Sequence, residues 1–385
     1  MREHLRHRKH PKPSPHWEVV PPDSEQPYRF EIELPMRHKN QPMYRHLPSS
    51  ALFTCCLLFL GGCGSRDAVT PQPTGEEKSG QPAAGRQKVK LALNWFPEAE
   101  HGGYYAAQVR GFFEEENLDV EILPGGPGAP VIQLLTAERA TFAIGNADQV
   151  LTGRNEEADV VALMAPLQMS PRCIMVHEKS GIEKLEDLEG ITLAMSAGRA
   201  FALYMQKKLP LKDVRIVGYP GNVTNFLRDP KFAQQGYVFS EPFVAREQGG
   251  DPRALMVSEL GFNPYTSLLL TNGKTLREQR DLVEKVTRAS IRGWRSYLKD
   301  PGPVNKHIHG LNKEMGQKIL DYGAKILQDL CLPEKMPQAQ LGHMTAQRWR
   351  KLADQLVEIG LISAELDVAA AYDDSFVRGE TDNSP

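Results

Sequence analysis

Strand-like and helix-like segments alternate between residues 88 and 240, and this alternation restricts the possible folds more than any other feature. Val89, Leu91 and Leu93 lie two residues apart, as on one face of a strand, and a helical spacing of apolar residues follows from Tyr105. The predicted strands are residues 88–93, 118–123, 141–145, 160–164, 173–176, 191–195, 214–217 and 236–240. Repeated strand–helix–strand units with short links predict a mostly parallel α/β sheet covered by helices on both faces.

The alternation restarts after Leu188, so the folded part is expected to contain two lobes of similar construction. The chain is expected to cross between the lobes near Met175–His177 and Glu259–Thr266. The predicted divisions are a leader at 1–62, a flexible tether at 63–87, lobe 1 at 88–176, lobe 2 at 177–260, a return to lobe 1 with C-terminal helices at 261–378 and a polar tail at 379–385.

The chain becomes helical from Thr275, where Thr275 and Glu278 match a capping box and an apolar stripe reaches Tyr297. Two α/β lobes followed by a helical C-terminal part resemble the two-lobed periplasmic-binding-protein fold of type II. Ligands of open α/β sheets bind at the carboxyl ends of strands, so the expected site is the cleft between the lobes.

A ten-residue apolar run at Ala51–Leu60 follows basic residues and leads into a Leu-Gly-Gly-Cys sequence that ends at Cys63. The run is too short for a membrane span, which needs about 20 residues, and its flanks are typical of a secretion signal. The last four residues resemble a bacterial lipobox. They predict a lipid anchor on Cys63 and a location in the periplasm or at the outer face of the cytoplasmic membrane. Residues 1–42 do not fit such a signal, which favours a translation start at Met43, or else at Met36.

The net charge of −2 at pH 7 predicts no attraction to nucleic acid. Only Cys173 and Cys331 follow Cys63, and cysteines so far apart are expected to be separate thiols. The sequence lacks a Gly-x-Ser-x-Gly elbow, a Cys-x-x-Cys pair and a His-x-x-x-His ligand pair. No catalytic or metal site is therefore expected.

Several short motifs between Lys88 and Leu298 carry a family resemblance. They are Asn94–Pro97, His101–Ala107, Gly111–Phe113, Leu118–Val120, Leu135–Glu138, Phe142–Gly145, Leu185–Leu193 and Gly236–Pro242. These motifs resemble the ABC solute-binding proteins that are related to the thiamine-pyrimidine synthase of fungi. Bacterial members bind aminopyrimidine precursors of thiamine, and relatives bind riboflavin, sulfonates or nitrate. The resemblance implies a monomeric protein that delivers a small molecule to an ABC permease.

Two positions depart from the synthase branch of that family. In that branch a lysine holds pyridoxal phosphate and a nearby histidine is consumed as substrate, but Gly145 and Gln149 stand at the corresponding positions here. The cysteine-rich iron motif of the branch has no counterpart either. The chain is therefore expected to bind its ligand without a cofactor and not to be an enzyme; a pyrimidine-forming synthase is the alternative from another class.

Trp95 follows the first predicted strand, where an indole can stack on a flat heterocycle. Asn94 and His101 flank it with hydrogen-bonding groups, although His101 is equally suited to cap or to pack. Tyr104 and Tyr105 point about 100° apart on a helix, and the resemblance favours Tyr105 as the one that reaches the cleft.

Asn146 and Gln149 follow the third strand, and Ser196 and Arg199 follow the first strand of lobe 2. A strand, then Ser-Ala-Gly, then a helix start would also suit an anion. An anion such as a sulfonate or nitrate is therefore an alternative to an aminopyrimidine, as is riboflavin.

Glu241 comes directly after the predicted strand 236–240, within the family motif that also contains Tyr237. Its carboxylate is placed either to accept a hydrogen bond from a ring amino group or to stabilise the start of a helix. The expected ligand contacts are Asn94, Trp95, His101, Tyr105, Asn146, Gln149, Ser196, Tyr237 and Glu241.

Overall fold

The structure, a computed structural model, describes residues 85–378. The predicted leader with Cys63, most of the tether and the polar tail lie outside the described residues. The strands are β1 (Gln87–Ala92), β2 (Leu118–Leu123), β3 (Phe142–Gly145), β4 (Val160–Met164), β5 (Arg172–His177), β6 (Thr192–Ala194), β7 (Arg215–Val217), β8 (Phe232–Tyr237), β9 (Pro252–Met256) and β10 (Leu268–Asn272). The helices are α1 (Gly102–Val109), α2 (Phe112–Glu115), α3 (Val131–Thr136), α4 (Ala147–Asn155), α5 (Ala200–Lys208), α6 (Thr224–Arg228), α7 (Glu241–Glu247), α8 (Gly273–Glu278), α9 (Arg280–Lys299), α10 (Gly302–Leu311), α11 (Gln317–Cys331), α12 (Ala346–Glu358) and α13 (Ser375–Arg378). Within this described part, no helix has the length and apolar character that a membrane span requires.

The strands form two five-stranded sheets, one in each lobe, with the orders β2-β1-β3-β10-β4 and β7-β6-β8-β5-β9. In the first sheet β10 runs antiparallel to both of its neighbours, and in the second β5 does the same. The other four strands of each sheet run in one direction, so the predicted mostly parallel α/β architecture holds for four strands in five. Each reversed strand is the one that follows a crossing between the lobes. The two-lobed periplasmic-binding-protein fold is thus confirmed.

The first crossing lies earlier in the chain than the sequence predicted. β5 pairs with β8 and β9 and so belongs to lobe 2, which corrects the predicted lobe 1 boundary of 88–176. The chain passes between the sheets at residues 165–171 and returns at 257–267. An antiparallel bridge between Leu167 and Thr266 joins the two crossing segments. The apolar run within β5 is the same whichever sheet it joins, so the sequence alone did not assign it correctly.

Three strands of the sheets differ from the predicted ones: β8 has other bounds, and neither β9 nor β10 was predicted. β8 begins at Phe232 rather than at the predicted Gly236. The prediction missed its first residues because Gln234 and Gln235 interrupt the apolar pattern, although both side chains are buried. β10 was not predicted, since all five of its residues are buried and a continuous apolar run has no alternation to reveal a strand.

The predicted capping box at Thr275 and Glu278 is replaced by a cap three residues earlier, at Asn272. The Asn272 side chain accepts a hydrogen bond of 2.7 Å from the backbone N–H of Thr275, so α8 begins at Gly273. A short break at Gln279 then separates α8 from α9. The apolar stripe predicted for this region is buried along α9, and its residues are Leu282, Val286, Ala289 and Tyr297.

α1 and α9 cross at a distance that only glycine allows. A Cβ atom at Gly103 would lie 2.1 Å from Cγ of Trp294, and one at Gly102 would lie 2.1 Å from Cζ of Tyr297. Both aromatic side chains are fully buried. This crossing holds the start of α1 against the core of lobe 1, and with it the loop that enters α1 from β1.

Candidate functional site

A cavity of about 300 Å³ lies between the lobes, where the carboxyl ends of strands from both sheets meet. Its volume is at the lower end of the range for small-molecule sites. Lobe 1 contributes Asn94, Trp95, Glu98, Glu100, Asn146, Asp148 and Gln149. Lobe 2 contributes Arg172, Ser196, Arg199, Phe201, Tyr219, Gln235, Tyr237 and Glu241. The cavity therefore occupies the cleft position that the fold predicts for a ligand.

Seven of the nine residues predicted from the sequence line this cavity, and two do not. His101 is fully buried behind the cavity wall, where its Nε2 lies 2.9 Å from Oδ1 of Asn94. Tyr105 is buried in the core of lobe 1 and faces His307, with ring centroids 5.7 Å apart. The prediction that Tyr105 reaches the cleft is corrected, because its place on the apolar stripe of α1 turns it inward.

Several residues of the cavity wall were not predicted from the sequence. Glu98 and Glu100 stand between the family motifs Asn94–Pro97 and His101–Ala107, at the start of the short 3₁₀ segment before α1. Asp148 lies between two residues that were predicted. These three carboxyl groups stand close in sequence to residues that were already predicted to bind ligand. That proximity could have identified them. Arg172, Tyr219 and Gln235 gave no such signal, since only the sheet order of lobe 2 brings them to the cleft.

In lobe 1, Glu100 is the centre of a buried hydrogen-bond network. Its Oε1 accepts hydrogen bonds from Nδ2 of Asn94 at 3.1 Å and from the Ser267 hydroxyl at 2.6 Å. Since Asn94 donates through its nitrogen, its oxygen accepts from His101, which places the imidazole proton on Nε2. Burial lowers the pKa of His101, which keeps the ring neutral and consistent with this arrangement. His101 therefore positions Asn94 rather than touching the cavity.

Glu98 shares this corner of the cavity with Glu100. Its side chain is 4% exposed and that of Glu100 is 0% exposed, so two carboxyl groups stand side by side away from water. Burial raises the pKa of Glu98 well above its usual value, and the charges of Glu100 and Glu241 raise it further. Arg172 acts in the opposite direction but has a smaller effect. Glu98 thus holds a proton more strongly than an exposed glutamate does.

In lobe 2, Glu241 is the first residue of α7 and is held by two donors. Tyr219 donates its hydroxyl to Oε1 at 2.6 Å, and the backbone N–H of Tyr237 donates to Oε2 at 2.7 Å. Burial and the neighbouring Glu241 charge raise the pKa of Tyr219, so its hydroxyl remains a donor. Each carboxylate oxygen has lone pairs left for a further donor.

The guanidinium groups of the cavity lie among aromatic and acidic groups of the protein. Arg172 lies over the rings of Tyr237 and Phe201, 4.2 and 4.8 Å from their centroids. Burial raises the pKa of Asp148, while Arg199 and then Arg172 oppose this effect through their charges. The basic side of the cavity is therefore matched by its own aromatic and acidic neighbours.

The loop after β6 was predicted as a possible anion site. The backbone N–H of Ser196, however, donates a hydrogen bond of 2.7 Å to Oε1 of Gln235. That donor is thus used within the protein. Nowhere in residues 85–378 do three or more His, Cys, Asp or Glu side chains form a group suited to a metal ion.

The family model described as NMT1/THI5 like matches residues 98–303, which is more than half of the chain. The chain belongs to this family. The match includes the 3₁₀ segment with Glu98 and Glu100 and both crossings between the lobes.

Three relatives match this chain over most of their own length. The riboflavin-binding protein RibY of Chloroflexus aurantiacus is 25% identical over 84% of this chain and 95% of its own. A putative thiamine biosynthesis protein of Haemophilus influenzae is 30% identical over 74% of this chain and 91% of its own. The formylaminopyrimidine-binding protein of Halalkalibacterium halodurans is 22% identical over 78% of this chain and 90% of its own.

Among solved structures, a putative periplasmic sulfonate-binding protein SsuA of an ABC transporter from Methylobacillus flagellatus resembles the chain with a TM-score of 0.57. The two are 13% identical over 77% of this chain and 94% of that one. At this identity the likeness concerns the fold alone.

Proposed function

We propose that this solute-binding protein of the NMT1/THI5 like family captures a small nitrogen heterocycle, an aminopyrimidine precursor of thiamine, and delivers it to an ABC permease. The observation that carries this proposal is the chemistry of the cavity wall. Four carboxyl groups and two guanidinium groups line it among the described residues, together with the indole of Trp95. Such a wall favours a neutral or cationic ring with hydrogen-bond donors over an anion.

The aromatic side chains supply the surface for a flat ring. Trp95 is half-buried at the cavity and is held at its edge by Phe96, with ring centroids 5.5 Å apart. Tyr219 and Tyr237 line the cavity from the opposite lobe. A ring stacked on Trp95 gains about 0.5–1.5 kcal/mol beyond its buried area, and its edge meets carboxyl groups from both lobes.

The carboxyl groups and the occupied Ser196 N–H argue against a sulfonate or nitrate. An anion would lie beside Glu98, Glu100 and Glu241 and would find one backbone donor of the expected cradle already used. The cost of burying an anion without a full set of donors is several kcal/mol. Riboflavin remains a second candidate because a riboflavin-binding relative matches nearly its whole length. The volume of about 300 Å³ suits a single ring better than three fused rings with a sugar-like chain.

A role without catalysis is proposed on the same grounds. Gly145 occupies the position that the family resemblance gives to the cofactor lysine, and a Cβ there would lie 2.7 Å from Cδ1 of Leu270. A longer side chain would have to displace that leucine.

Isothermal titration of the purified protein with 4-amino-2-methylpyrimidine, ethanesulfonate and riboflavin tests the proposal. We expect saturable binding of the aminopyrimidine and none of the sulfonate. Tight binding of ethanesulfonate alone would overturn the aminopyrimidine proposal in favour of the anion. Quenching of flavin fluorescence with a tighter affinity than the aminopyrimidine would favour riboflavin.

We further propose that the protein works as a lipid-anchored monomer outside the cytoplasmic membrane, held through Cys63. The basis is the Leu-Gly-Gly-Cys sequence after an apolar run. Mass spectrometry of the mature protein should find a diacylglyceryl group on Cys63, and Cys63→Ser should leave a chain that stays out of the detergent phase. An unmodified cysteine in wild type would contradict the anchor.

A further inference from the structure

The cavity has a carboxyl oxygen that no donor in the described residues satisfies. Oε2 of Glu100 is buried and lacks such a partner, although Oε1 of the same group accepts two hydrogen bonds. A buried acceptor without a donor is costly, so natural structures leave one mainly where something else is to bind. Glu100 lines the cavity, and this oxygen is therefore a candidate ligand contact.

Glu98 supplies the complementary group. Burial and the charges of Glu100 and Glu241 raise the pKa of Glu98, so its carboxyl group keeps a proton that it can donate. A protonated carboxyl group beside the unsatisfied Oε2 of Glu100 presents both an O–H donor and an acceptor. A 4-aminopyrimidine carries the matching pair on one edge, a ring nitrogen that accepts and an amino group that donates.

We propose that Glu98 and Glu100 together read the amidine edge of the ligand, with the Glu98 hydroxyl donating to the ring nitrogen and Oε2 of Glu100 accepting from the amino group. This inference rests on the proposed function. It assigns the choice of amino-substituted rings to a pair in lobe 1, separate from Glu241 in lobe 2.

The surroundings of Glu98 explain why it keeps its proton. Asn94 and Ser267 both donate to Oε1 of Glu100, so that group acts as an acceptor within the protein. Burial and the negative charges of Glu100 and Glu241 disfavour ionisation of Glu98, whereas the positive charge of Arg172 favours it. The other ionisable groups that interact with this pair are His101, Tyr104, Tyr219, Tyr237 and Tyr297. The donor is lost when the pH rises far enough to ionise Glu98, so affinity is expected to fall on the alkaline side.

The first test is a cycle of two ligands and two proteins, measured by isothermal titration. Wild type should bind 4-amino-2-methylpyrimidine at least tenfold more tightly than 2-methylpyrimidine, which lacks the amino group. Glu100→Gln should reduce that preference to threefold or less, because the amide cannot accept at both of its positions. A general disturbance of the fold would weaken both ligands by the same factor. Glu121→Gln, an exposed carboxyl on β2, serves as the matched control and should leave the preference unchanged.

The second test uses Glu98→Gln, whose amide donates at every pH. Its affinity for 4-amino-2-methylpyrimidine should stay within about fivefold of wild type near neutral pH and should not fall in alkaline buffer, where wild type loses at least tenfold. Both proteins are titrated with the same ligand, so any protonation of the ligand itself cancels in the ratio of the two affinities. In the ligand-free wild type, carbon NMR of the glutamate carboxyl groups should find one that titrates well above the ordinary range.

The outcomes separate the two proposals. If wild type binds the aminopyrimidine but Glu100→Gln keeps the full amino preference, or Glu98→Gln keeps the alkaline loss, the pair does not read the ligand and the proposed function stands. If wild type binds neither pyrimidine at any pH, both the proposed function and this inference are wrong.

Discussion

The Tyr219 hydroxyl donates a hydrogen bond of 2.6 Å to Oε1 of Glu241, and this contact holds the carboxylate that faces the cavity from lobe 2. The other oxygen accepts from the backbone N–H of Tyr237. Because both oxygens are fixed by the protein, the group needs little rearrangement when a ligand arrives. Preorganisation of this kind improves affinity by reducing the ordering cost of binding.

Glu241→Gln is expected to weaken the binding of 4-amino-2-methylpyrimidine by tenfold or more, which corresponds to about 1.4 kcal/mol. The substitution keeps the shape but removes the charge that strengthens a hydrogen bond from a ring amino group. Isothermal titration of both proteins measures the difference. Equal affinities would mean that Glu241 serves only to start α7.

Tyr219→Phe is the matched control for that substitution, since it removes the hydroxyl and leaves the carboxylate charged. We expect a loss of about threefold, because a hydrogen bond between protein groups contributes on the order of 1 kcal/mol and part of it is regained from water. A loss as large as that of Glu241→Gln would assign the effect to the position of the carboxylate rather than to its charge.

The sequence predicted those parts of the fold that repeat locally. β1 has alternating buried residues, and the stripe along α9 has a helical period, so both were found. The reversed strands are different. β10 is buried along its whole length, and the partners of β5 are far away in the chain, so no local pattern assigns either one to its sheet.

The site could be predicted where a polar or aromatic side chain follows a strand directly or stands in a family motif. Asn94, Trp95 and Asn146 were found in this way. The Glu98–Glu100 pair was not, because its character depends on Ser267, which lies 167 residues from Glu100 and reaches it only after the second crossing.

The stability of the protein should depend on His101 at mildly acidic pH. Burial lowers the pKa of His101 in the folded chain, so the unfolded chain binds this proton more readily. The stabilisation is complete above the unfolded pKa of about 6.5 and is lost as the pH falls through the lower folded pKa. Its steepest slope is about 1.4 kcal/mol per pH unit for one proton.

Glu98 contributes with the opposite sign. Its pKa is raised on folding, so its contribution is complete below the unfolded pKa and is lost as the pH rises.

Comparison of wild type with His101→Gln isolates the contribution of the histidine, since the amide can still donate to Asn94 and cannot titrate. Chemical denaturation over a pH series should give a difference that shrinks in acid, and a constant difference would contradict the assignment.

Gly103→Ala should destabilise the fold by about 1–3 kcal/mol, the usual cost of inserting a methyl group into a filled core. The new Cβ would lie 2.1 Å from Trp294, whose ring is locked by its own burial. Gly310→Ala is the control, because a Cβ there has no neighbour within 4 Å and alanine favours the helix. Thermal unfolding measures both, and a Gly103→Ala protein as stable as wild type would mean that α1 and α9 separate easily.

Ligand binding should bring the two lobes together. Trp95 lies on lobe 1 and Glu241 on lobe 2, so a ligand that contacts both gains most when the cleft narrows. The bridge between Leu167 and Thr266 couples the crossing segments, which favours a hinge about the pair rather than independent bending.

Small-angle X-ray scattering measures this closure directly. Saturating 4-amino-2-methylpyrimidine should lower the radius of gyration of wild type. Trp95→Ala at the same ligand concentration should change less, because the loss of stacking and buried area reduces its occupancy. If titration shows that wild type is saturated while its scattering profile matches that of the free protein, the lobes do not move and the ligand enters a cleft that is already closed around it.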